Sequence, residues 1–169
     1  MISLFRTVVS ICSVILLTSC INDRDQVHED LKVGDRIPDF LVEMNDGSTV
    51  SSGQLSNGVA VIMFFHTTCP DCARTLPEIQ KLYNAYKSED CSFVLISREE
   101  TADTIAKYWT ENEFNLPYSA QSTRYIYELF ASSRIPRVYI CVNGVIVAIY
   151  TDSPTPTYEE MNSVLAELI

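Results

Sequence analysis

The chain has 169 residues, of which 47% are hydrophobic and five are glycine, a composition typical of one globular domain with a short extra segment. It carries 22 acidic and 12 basic residues, a net charge of −10 at pH 7. Because phosphate backbones are bound through lysine and arginine, this charge argues against a nucleic acid partner. The composition also excludes disordered and collagen-like chains.

The first twenty residues indicate a targeting signal. They hold one charged side chain, Arg6, and an apolar stretch over residues 8–17 that is shorter than the roughly 20 residues needed to span a bilayer. The stretch ends in Leu17-Thr18-Ser19-Cys20, which resembles the bacterial lipobox, in which the cysteine is lipidated after cleavage. We therefore predict a lipoprotein signal peptide over residues 1–19. An ordinary secretory signal, with Cys20 incidental, is the alternative.

The segment after the signal is polar and has no hydrophobic periodicity. We predict that residues 20–33, with the lipidated Cys20, form a flexible tether, in which His28 is solvated, and that residues 34–169 form the domain. The protein is then expected in the cell envelope, anchored to a membrane and facing the periplasm or the outer surface. Cys12 leaves with the signal, so the domain keeps four cysteines: Cys69, Cys72, Cys91 and Cys141.

The first half of the domain predicts a hairpin, a buried strand and a helix. Alternation indicates short strands over residues 40–43 and 48–51, with an Asp-Gly turn between them. The continuous apolar run Val59–Phe65 is typical of a central strand covered on both faces. Apolar residues at offsets of three and four predict an amphipathic helix over residues 70–87. A Cys-x-x-Cys pair stands where this strand passes into the helix.

The second half of the domain alternates strands and helices. In chain order we predict a buried strand over 92–96, a helix over 102–113, a loop at 116–117, a short helix over 124–131, strands Arg137–Val142 and Val145–Tyr150 around an Asn-Gly turn, and a helix over 157–169. Strand–helix–strand order requires parallel pairing with right-handed crossovers. The predicted fold class is α/β, a three-layer sandwich in which a central mixed β-sheet has helices on both faces and the chain ends in a β-hairpin and a helix.

The motif Cys69-Pro70-Asp71-Cys72 predicts thiol–disulfide exchange. Exchange needs an attacking thiolate, a neighbouring thiol that resolves the mixed disulfide, and access for a partner. We predict Cys69 as the nucleophile, because free N–H groups and the dipole at a helix N-terminus favour a thiolate there, and Cys72 as the resolving thiol. Pro70 suits the first helical position. Asp71 opposes a thiolate by its charge, which favours a reductant over a strong oxidant, whereas Arg74 favours the thiolate.

A zinc site is the other chemistry that a Cys-x-x-Cys pair can serve, and it needs about four ligands. The remaining candidates, His66, Cys91 and Cys141, have spacings that match no zinc ribbon or finger. We predict no metal and no cofactor besides a redox-active Cys69–Cys72 disulfide. Cys91 and Cys141 are expected to be small buried hydrophobes, and His66 a packed residue at the end of a strand.

With these motifs, the chain resembles the thioredoxin-like superfamily, and more narrowly the membrane-tethered TlpA/ResA group of the redoxin (AhpC/TSA) assemblage. The motifs that carry the resemblance are Gly34-Asp35-Arg36-Ile37-Pro38-Asp39-Phe40, Asp46-Gly47, Phe64-Phe65, Cys69-Pro70-Asp71-Cys72, Pro77, Ile135-Pro136 and Asn143-Gly144. The resemblance implies that Pro136 follows a cis peptide bond opposite the cysteines, that the Ile135 backbone binds a partner's extended segment, and that Pro77 kinks the helix.

The same resemblance implies the partners of the protein. We expect it to act on thiols and disulfides of exported proteins, to receive electrons from a membrane donor, and to be a monomer. Two positions depart from the family pattern. Thr68 stands where the family commonly has Trp, and Thr75 stands where the ResA-like branch has Glu, so the acid that usually serves the buried thiol is missing.

Two other functions remain open at this stage. A peroxiredoxin-like peroxide reductase shares the N-terminal pattern, but its reactive cysteine lies in a Thr-x-x-Cys context, and here His66 is three residues before Cys69. A non-catalytic thioredoxin-fold binding lipoprotein is the second alternative. Against it stands the joint presence of Cys69, Cys72, Ile135 and Pro136, because a decayed site would be expected to lose one of them.

Overall fold

The computed structural model describes residues 29–169. The predicted signal peptide, Cys20, His28 and most of the predicted tether lie outside these residues. Across the described range no helix combines the length and the apolar character needed to cross a membrane.

The elements follow the predicted order. They are β1 (Leu41–Glu43), β2 (Thr49–Ser51), a 3₁₀ turn (Gln54–Ser56), β3 (Val59–Phe65), α1 (Pro70–Tyr86), β4 (Cys91–Ser97), α2 (Ala102–Glu111), β5 (Tyr118–Ser119), α3 (Tyr125–Glu128), β6 (Arg137–Val142), β7 (Val145–Tyr150) and α4 (Tyr158–Leu168). β1 and β2 form a separate antiparallel hairpin, and the other strands form one sheet in the order β5-β4-β3-β6-β7.

The central sheet is mixed, as predicted. β3 runs parallel to β4 and antiparallel to β6, and β6 pairs with β7 across the tight turn at Asn143 and Gly144. Every residue of β3 is buried, because it has strands on both sides and helices over both faces. This position explains why β3 needs an uninterrupted apolar sequence.

Aromatic contacts show which helices cover each face of the sheet. Phe65 packs on Trp109 of α2 at a centroid distance of 5.0 Å, and Phe93, on the same face, packs on Tyr83 of α1 at 5.4 Å. α4 lies against α1 on that face. Phe64 points to the opposite face, since successive strand residues alternate. There it contacts a ring cluster that includes α3: Tyr127, Phe130 and Tyr139. The three-layer α/β sandwich is therefore confirmed.

Two predicted helices are shorter than their sequence patterns suggested. α2 ends at Glu111 rather than 113, because Glu113 takes a left-handed φ of 56° and turns the chain out of the helix. The predicted helix over 124–131 forms a single turn, Tyr125–Glu128. The two-residue strand β5 was not predicted; the sequence indicated only the loop at 116–117 that precedes it.

Part of the predicted tether is fixed to the domain. The Asp30 carboxylate accepts hydrogen bonds from Ser132 N (2.7 Å) and Ser132 Oγ (2.9 Å) and pairs with the Arg137 guanidinium. Leu31 N donates to Phe130 O at 2.9 Å. Burial raises the pKa of Asp30, but Ser132 and Arg137 outweigh it and hold the pKa below its ordinary value. The ordered domain thus includes Asp30, upstream of the predicted boundary at residue 34.

Candidate active site

Cys69 and Cys72 lie on the first turn of α1, where β3 passes into that helix. Cys69 is the N-cap residue, with extended backbone angles (φ −83°, ψ 118°), and its Sγ accepts a hydrogen bond from Cys72 N at 3.3 Å. The Cys69 side chain is half-buried, whereas Cys72 is completely buried. Pro70 takes the first helical position, where its missing N–H has no intrahelical partner to lose. One sulfur is therefore open to a partner and the other is enclosed behind it.

The surroundings of Cys72 favour its protonated form. Burial, and then the hydrogen bond with Cys69, raises the pKa of the Cys72 thiol well above its ordinary value, against weaker opposing effects of the His66 backbone and Arg98. Cys72 is therefore protonated at neutral pH. Asp71, predicted to oppose a thiolate, pairs with Arg74, so the two charges near the motif largely offset each other.

A distant segment completes the site. The Ile135–Pro136 peptide bond is cis, and the Cys69 thiol can donate to Ile135 O across 3.6 Å. Tyr127 Oη donates to Arg134 O at 2.8 Å, and Arg137 Nε donates to Ser133 O at 3.2 Å. Two side chains, of Tyr127 and Arg137, thus fix the backbone that immediately precedes Ile135. The structure brings together the cysteines, Ile135 and Pro136, as the sequence analysis anticipated.

Thr75 stands where the resemblance to the ResA-like branch implies a glutamate. Thr75 is fully buried, and its Oγ1 donates to Asp71 O at 2.9 Å. This bond lies within the helix, so Thr75 offers no proton acceptor to Cys72. Pro77 lies inside α1.

Sequence reasoning missed Glu100, a buried acid that follows β4. The side chain of Glu100 is 4% exposed, and its carboxylate accepts hydrogen bonds from Thr67 N (3.0 Å) and from Thr67 Oγ1. His66 Nδ1 lies 3.6 Å from Glu100 Oε1. Because β3 and β4 are parallel, the residues that follow them meet at one edge of the sheet, and this rule was the only signal that could have pointed to Glu100.

His66 and Tyr108 border the same corner of the site. His66 is half-buried, and its Nδ1 accepts from Thr68 N at 3.2 Å. Burial, followed by the charges of Cys72 and Glu100, raises the pKa of Tyr108. The side chains around the buried thiol therefore come from α1, α2 and the loop after β4.

The other two cysteines lie at the far end of the sheet. Burial raises the pKa of Cys91 to about 11 and that of Cys141 to about 12. Cys141 is fully buried, as predicted, whereas Cys91 is only half-buried, and both lie next to apolar neighbours. Between residues 29 and 169, no group of three or more His, Cys, Asp or Glu side chains is arranged to hold a metal ion.

Comparisons with known proteins agree with this geometry. The AhpC/TSA family model matches residues 33–156. The thiol-disulfide oxidoreductase ResA of Halalkalibacterium halodurans is 23% identical over 139 residues, which cover 82% of this chain and 77% of ResA.

Solved structures share the fold at low sequence identity. The thioredoxin domain of a thiol-disulfide oxidoreductase from Bacteroides vulgatus superposes with a TM-score of 0.71 at 19% identity, over 83% of this chain and all of that domain. The peroxidoxin BcpB of Mycobacterium tuberculosis gives 0.66 at 18%, over 82% of this chain and 96% of BcpB. The thioredoxin fold is thus common to both kinds of enzyme. The chain belongs to the AhpC/TSA family, and its relatives within that family include thiol–disulfide oxidoreductases of the ResA type.

Proposed function

We propose that this thiol–disulfide oxidoreductase reduces disulfides of exported proteins, with Cys69 as the attacking nucleophile and Cys72 as the resolving thiol. The observation that carries the proposal is the asymmetry of the pair. Cys69 is accessible at a helix N-terminus, while Cys72 is enclosed and holds its proton because burial raises its pKa. A single attacking sulfur with a protected partner is what ordered exchange requires.

The exchange proceeds in two steps. The Cys69 thiolate attacks one sulfur of a client disulfide, so that a mixed disulfide forms and the other client sulfur leaves as a thiolate. Cys72 then loses its proton and attacks Cys69 Sγ, which forms the Cys69–Cys72 disulfide and releases the second client thiolate. Two electrons pass to the client, the proton of Cys72 is passed on to one departing client thiolate, and the other client thiolate takes its proton from water. A dithiol donor of the membrane must restore the reduced pair by the reverse reaction, and no further cofactor is needed.

The surroundings of Cys69 Sγ favour a reductant over a strong oxidant. Strong oxidants stabilise their reduced form, largely through the thiolate. Here the sulfur accepts from Cys72 N, but it also faces Ile135 O, whose partial negative charge opposes a thiolate. Asp71 lies on the same turn, with its charge offset by Arg74. Because the thiolate gains less from these contacts than it does in a strong oxidant, the disulfide form is relatively more stable, as a reductant requires.

The site of action follows from the N-terminal pattern. Signal peptide cleavage after Ser19 and lipidation of Cys20 would anchor the domain to the membrane in the cell envelope. Replacing Cys20 by Ser is expected to move the protein from the membrane fraction to the soluble fraction of cells, whereas Cys91→Ser leaves it in place. If Cys20→Ser stays with the membrane, the lipid anchor is wrong.

Peroxide reduction is less compatible with the geometry. A peroxide-reactive cysteine uses a neighbouring hydroxyl, yet the position three before Cys69 is His66, and the Thr67 hydroxyl donates to Glu100. Rapid oxidation of Cys69 by stoichiometric hydrogen peroxide would revive this alternative.

Mixed-disulfide trapping in cells tests the proposed function. With Cys72→Ser the second step cannot occur, so covalent adducts with exported proteins should accumulate through Cys69 and disappear on reduction. The double variant Cys69→Ser/Cys72→Ser is the matched control and should show no adducts. If Cys72→Ser forms no more adducts than this control, the catalytic interpretation fails and a non-catalytic binding protein takes its place.

A further inference from the structure

Glu100 carries a buried carboxylate that forms no ion pair with a described lysine or arginine. Within residues 29–169 no lysine or arginine forms an ion pair with it, and His66 is the only basic side chain within 4 Å of its oxygens. Removing a carboxylate from water costs several kcal/mol unless other groups compensate. The compensation here comes from one short segment of chain, the residues that connect β3 to Cys69.

The contacts of Glu100 with that segment are specific. Both the N–H and the hydroxyl of Thr67 donate to the Glu100 carboxylate, one to each oxygen. Thr67 is followed by Thr68 and then by Cys69, whose own N–H donates to His66 O at 3.1 Å. The turn that leads into the nucleophile is therefore closed on itself by one hydrogen bond and held to the β4 side of the sheet by two more.

The loop that carries Glu100, residues 98–101, is held in place by backbone hydrogen bonds at two points. Glu100 N donates to Gln121 O at 2.7 Å, and Arg98 N donates to Phe65 O at 2.8 Å, which ties the loop to the end of β3. Glu100 thus connects the helix N-cap to a fixed part of the sheet. In the first turns of α1 the polar side chains bond within the helix and supply no such link, since Thr75 donates to Asp71 O and the Asp71 carboxylate pairs with Arg74.

We propose that Glu100 is a positioning residue for Cys69 and acts through the two hydrogen bonds from Thr67. It holds the turn that sets Cys69 at the N-cap of α1, where the sulfur meets both Cys72 N and Ile135 O. This inference deepens the proposed function and rests on it, because positioning matters only if Cys69 is the attacking sulfur. The effect comes from hydrogen-bond geometry rather than from the negative charge of Glu100.

The test uses full-length protein in detergent and a model peptide disulfide, with the second-order rate of mixed-disulfide formation measured per folded molecule. Glu100→Gln removes the charge and one acceptor oxygen, while Thr67→Val removes the hydroxyl donor without changing any charge. Both are expected to slow the exchange about tenfold, the rate equivalent of about 1.4 kcal/mol. Glu99→Gln is the matched control, because Glu99 is the exposed neighbour with the same charge.

Two further variants separate positioning from a general loss of structure. Thr67→Ser keeps the hydroxyl and should restore a rate within about twofold of the original protein. The double variant Glu100→Gln/Thr67→Val should be no slower than the slower single variant, since the two residues act through one contact. Thr67→Val keeps the proposal testable should Glu100→Gln fail to fold.

Three results would overturn the inference. Faster exchange in Glu100→Gln with an unchanged rate in Thr67→Val would assign the effect to charge. Rates equal to those of Glu99→Gln would show that the contact has no influence on Cys69. Additive losses in the double variant would mean that the two residues act separately. If the original protein itself exchanges no disulfide, the proposed function fails as well, which sets that outcome apart from the others.

Discussion

The four cysteines of the domain lie in two pairs near opposite ends of the central strand β3. Cys69 and Cys72 follow the carboxyl end of β3, while Cys91 and Cys141 lie beside its amino end, opposite Val59 and Ala60 on the two neighbouring strands. Successive residues of a strand point to opposite faces. Cys91 and Cys141 therefore lie on opposite faces of the sheet, while Cys69 and Cys72 share one helical turn.

The comparison explains why redox function is proposed for one end only, because the local backbone, rather than closeness to the core strand, sets the surroundings of each sulfur. At the amino end the thiols lie on strands, among apolar neighbours, and cannot reach each other. At the carboxyl end the chain leaves the sheet, and a helix N-cap supplies a free N–H to one sulfur while the helix encloses the other. The same residue type is thus expected to be inert in one place and reactive in the other.

The largest expected difference between the two ends is in activity. Cys69→Ser should reduce disulfide reduction to the uncatalysed level, because no other accessible sulfur has a resolving partner. The double variant Cys91→Ala/Cys141→Ala should keep most of the activity in the same assay with a protein disulfide as substrate. Loss of activity in this double variant, after correction for folded protein, would contradict the contrast.

Chemical labelling should reveal the same contrast in the original protein. In the reduced native state at pH 7.5, about one equivalent of iodoacetamide is expected to react quickly, at Cys69, because only thiolates react and burial raises the pKa of the other thiols. Mass spectrometry of tryptic peptides locates the label. Unfolding in guanidinium chloride should make all cysteines react alike, and early labelling of Cys141 in the native state would be evidence against the assignment.

The parts of the fold beside the two ends of β3 should also differ in what stabilises them. Asp30→Asn at the carboxyl end of the sheet leaves the buried Arg137 guanidinium without its counter-charge, so the free energy of unfolding should fall by about 2–3 kcal/mol. Cys141→Ala, at the amino end, removes a buried thiol and should cost about 1 kcal/mol. Urea denaturation measures both. Glu29→Gln, which breaks an exposed ion pair with Lys32, is the control and should leave the free energy of unfolding nearly unchanged.

Acid should remove the Asp30 contribution. The pKa of Asp30 is lowered in the folded protein, so its contribution is fully present above the unfolded value of about 3.9 and is lost as the pH falls through the lower folded value. The difference in stability between the original protein and Asp30→Asn should therefore shrink below about pH 4. A difference that stays constant from pH 7 to pH 3 would contradict the charged interaction.

The smallest expected effect is the alkaline stability of the reduced protein. Burial raises the pKa of Cys91 to about 11 and that of Cys141 to about 12, so each thiol stabilises the fold fully below the unfolded value of about 8.5 and loses that contribution as the pH rises. By pH 9.5 Cys141 should cost about 1 kcal/mol, and Cys91 less, because it is partly exposed to solvent. Cys141→Ala should show a flatter alkaline limb in urea denaturation, and an unchanged limb would mean that Cys141 ionises freely.

Local sequence signals predicted much of this molecule. β3 follows from its uninterrupted apolar run, and the tight turn of the last hairpin from Asn143 and Gly144, which both take the positive φ values that these residues tolerate, 51° and 75°. The place of the cysteine pair follows from a strand signal that stops just before a helix signal. Each of these features is decided by residues close together in the chain.

Features that depend on distant contacts could not be predicted. β5 has two residues, too few for periodicity, and it is held by β4 and by Asn45, whose Oδ1 accepts from Tyr118 N at 2.9 Å. The interaction of Asp30 with Arg137 spans 107 positions, and that of Glu100 with Thr67 spans 33. An acid in a polar stretch or a loop gives no local sign that the fold will bury it against a particular donor.

The reduction potential of the Cys69–Cys72 pair tests the central claim most directly. The full-length protein would be equilibrated in graded thiol redox buffers at pH 7, and the free thiols counted by alkylation and mass spectrometry. We predict one cooperative two-electron transition at or below about −230 mV, in the range of thioredoxin-like reductants. A potential near about −120 mV would make the protein an oxidant. A pair that never exchanges with the buffer would contradict the catalytic assignment altogether.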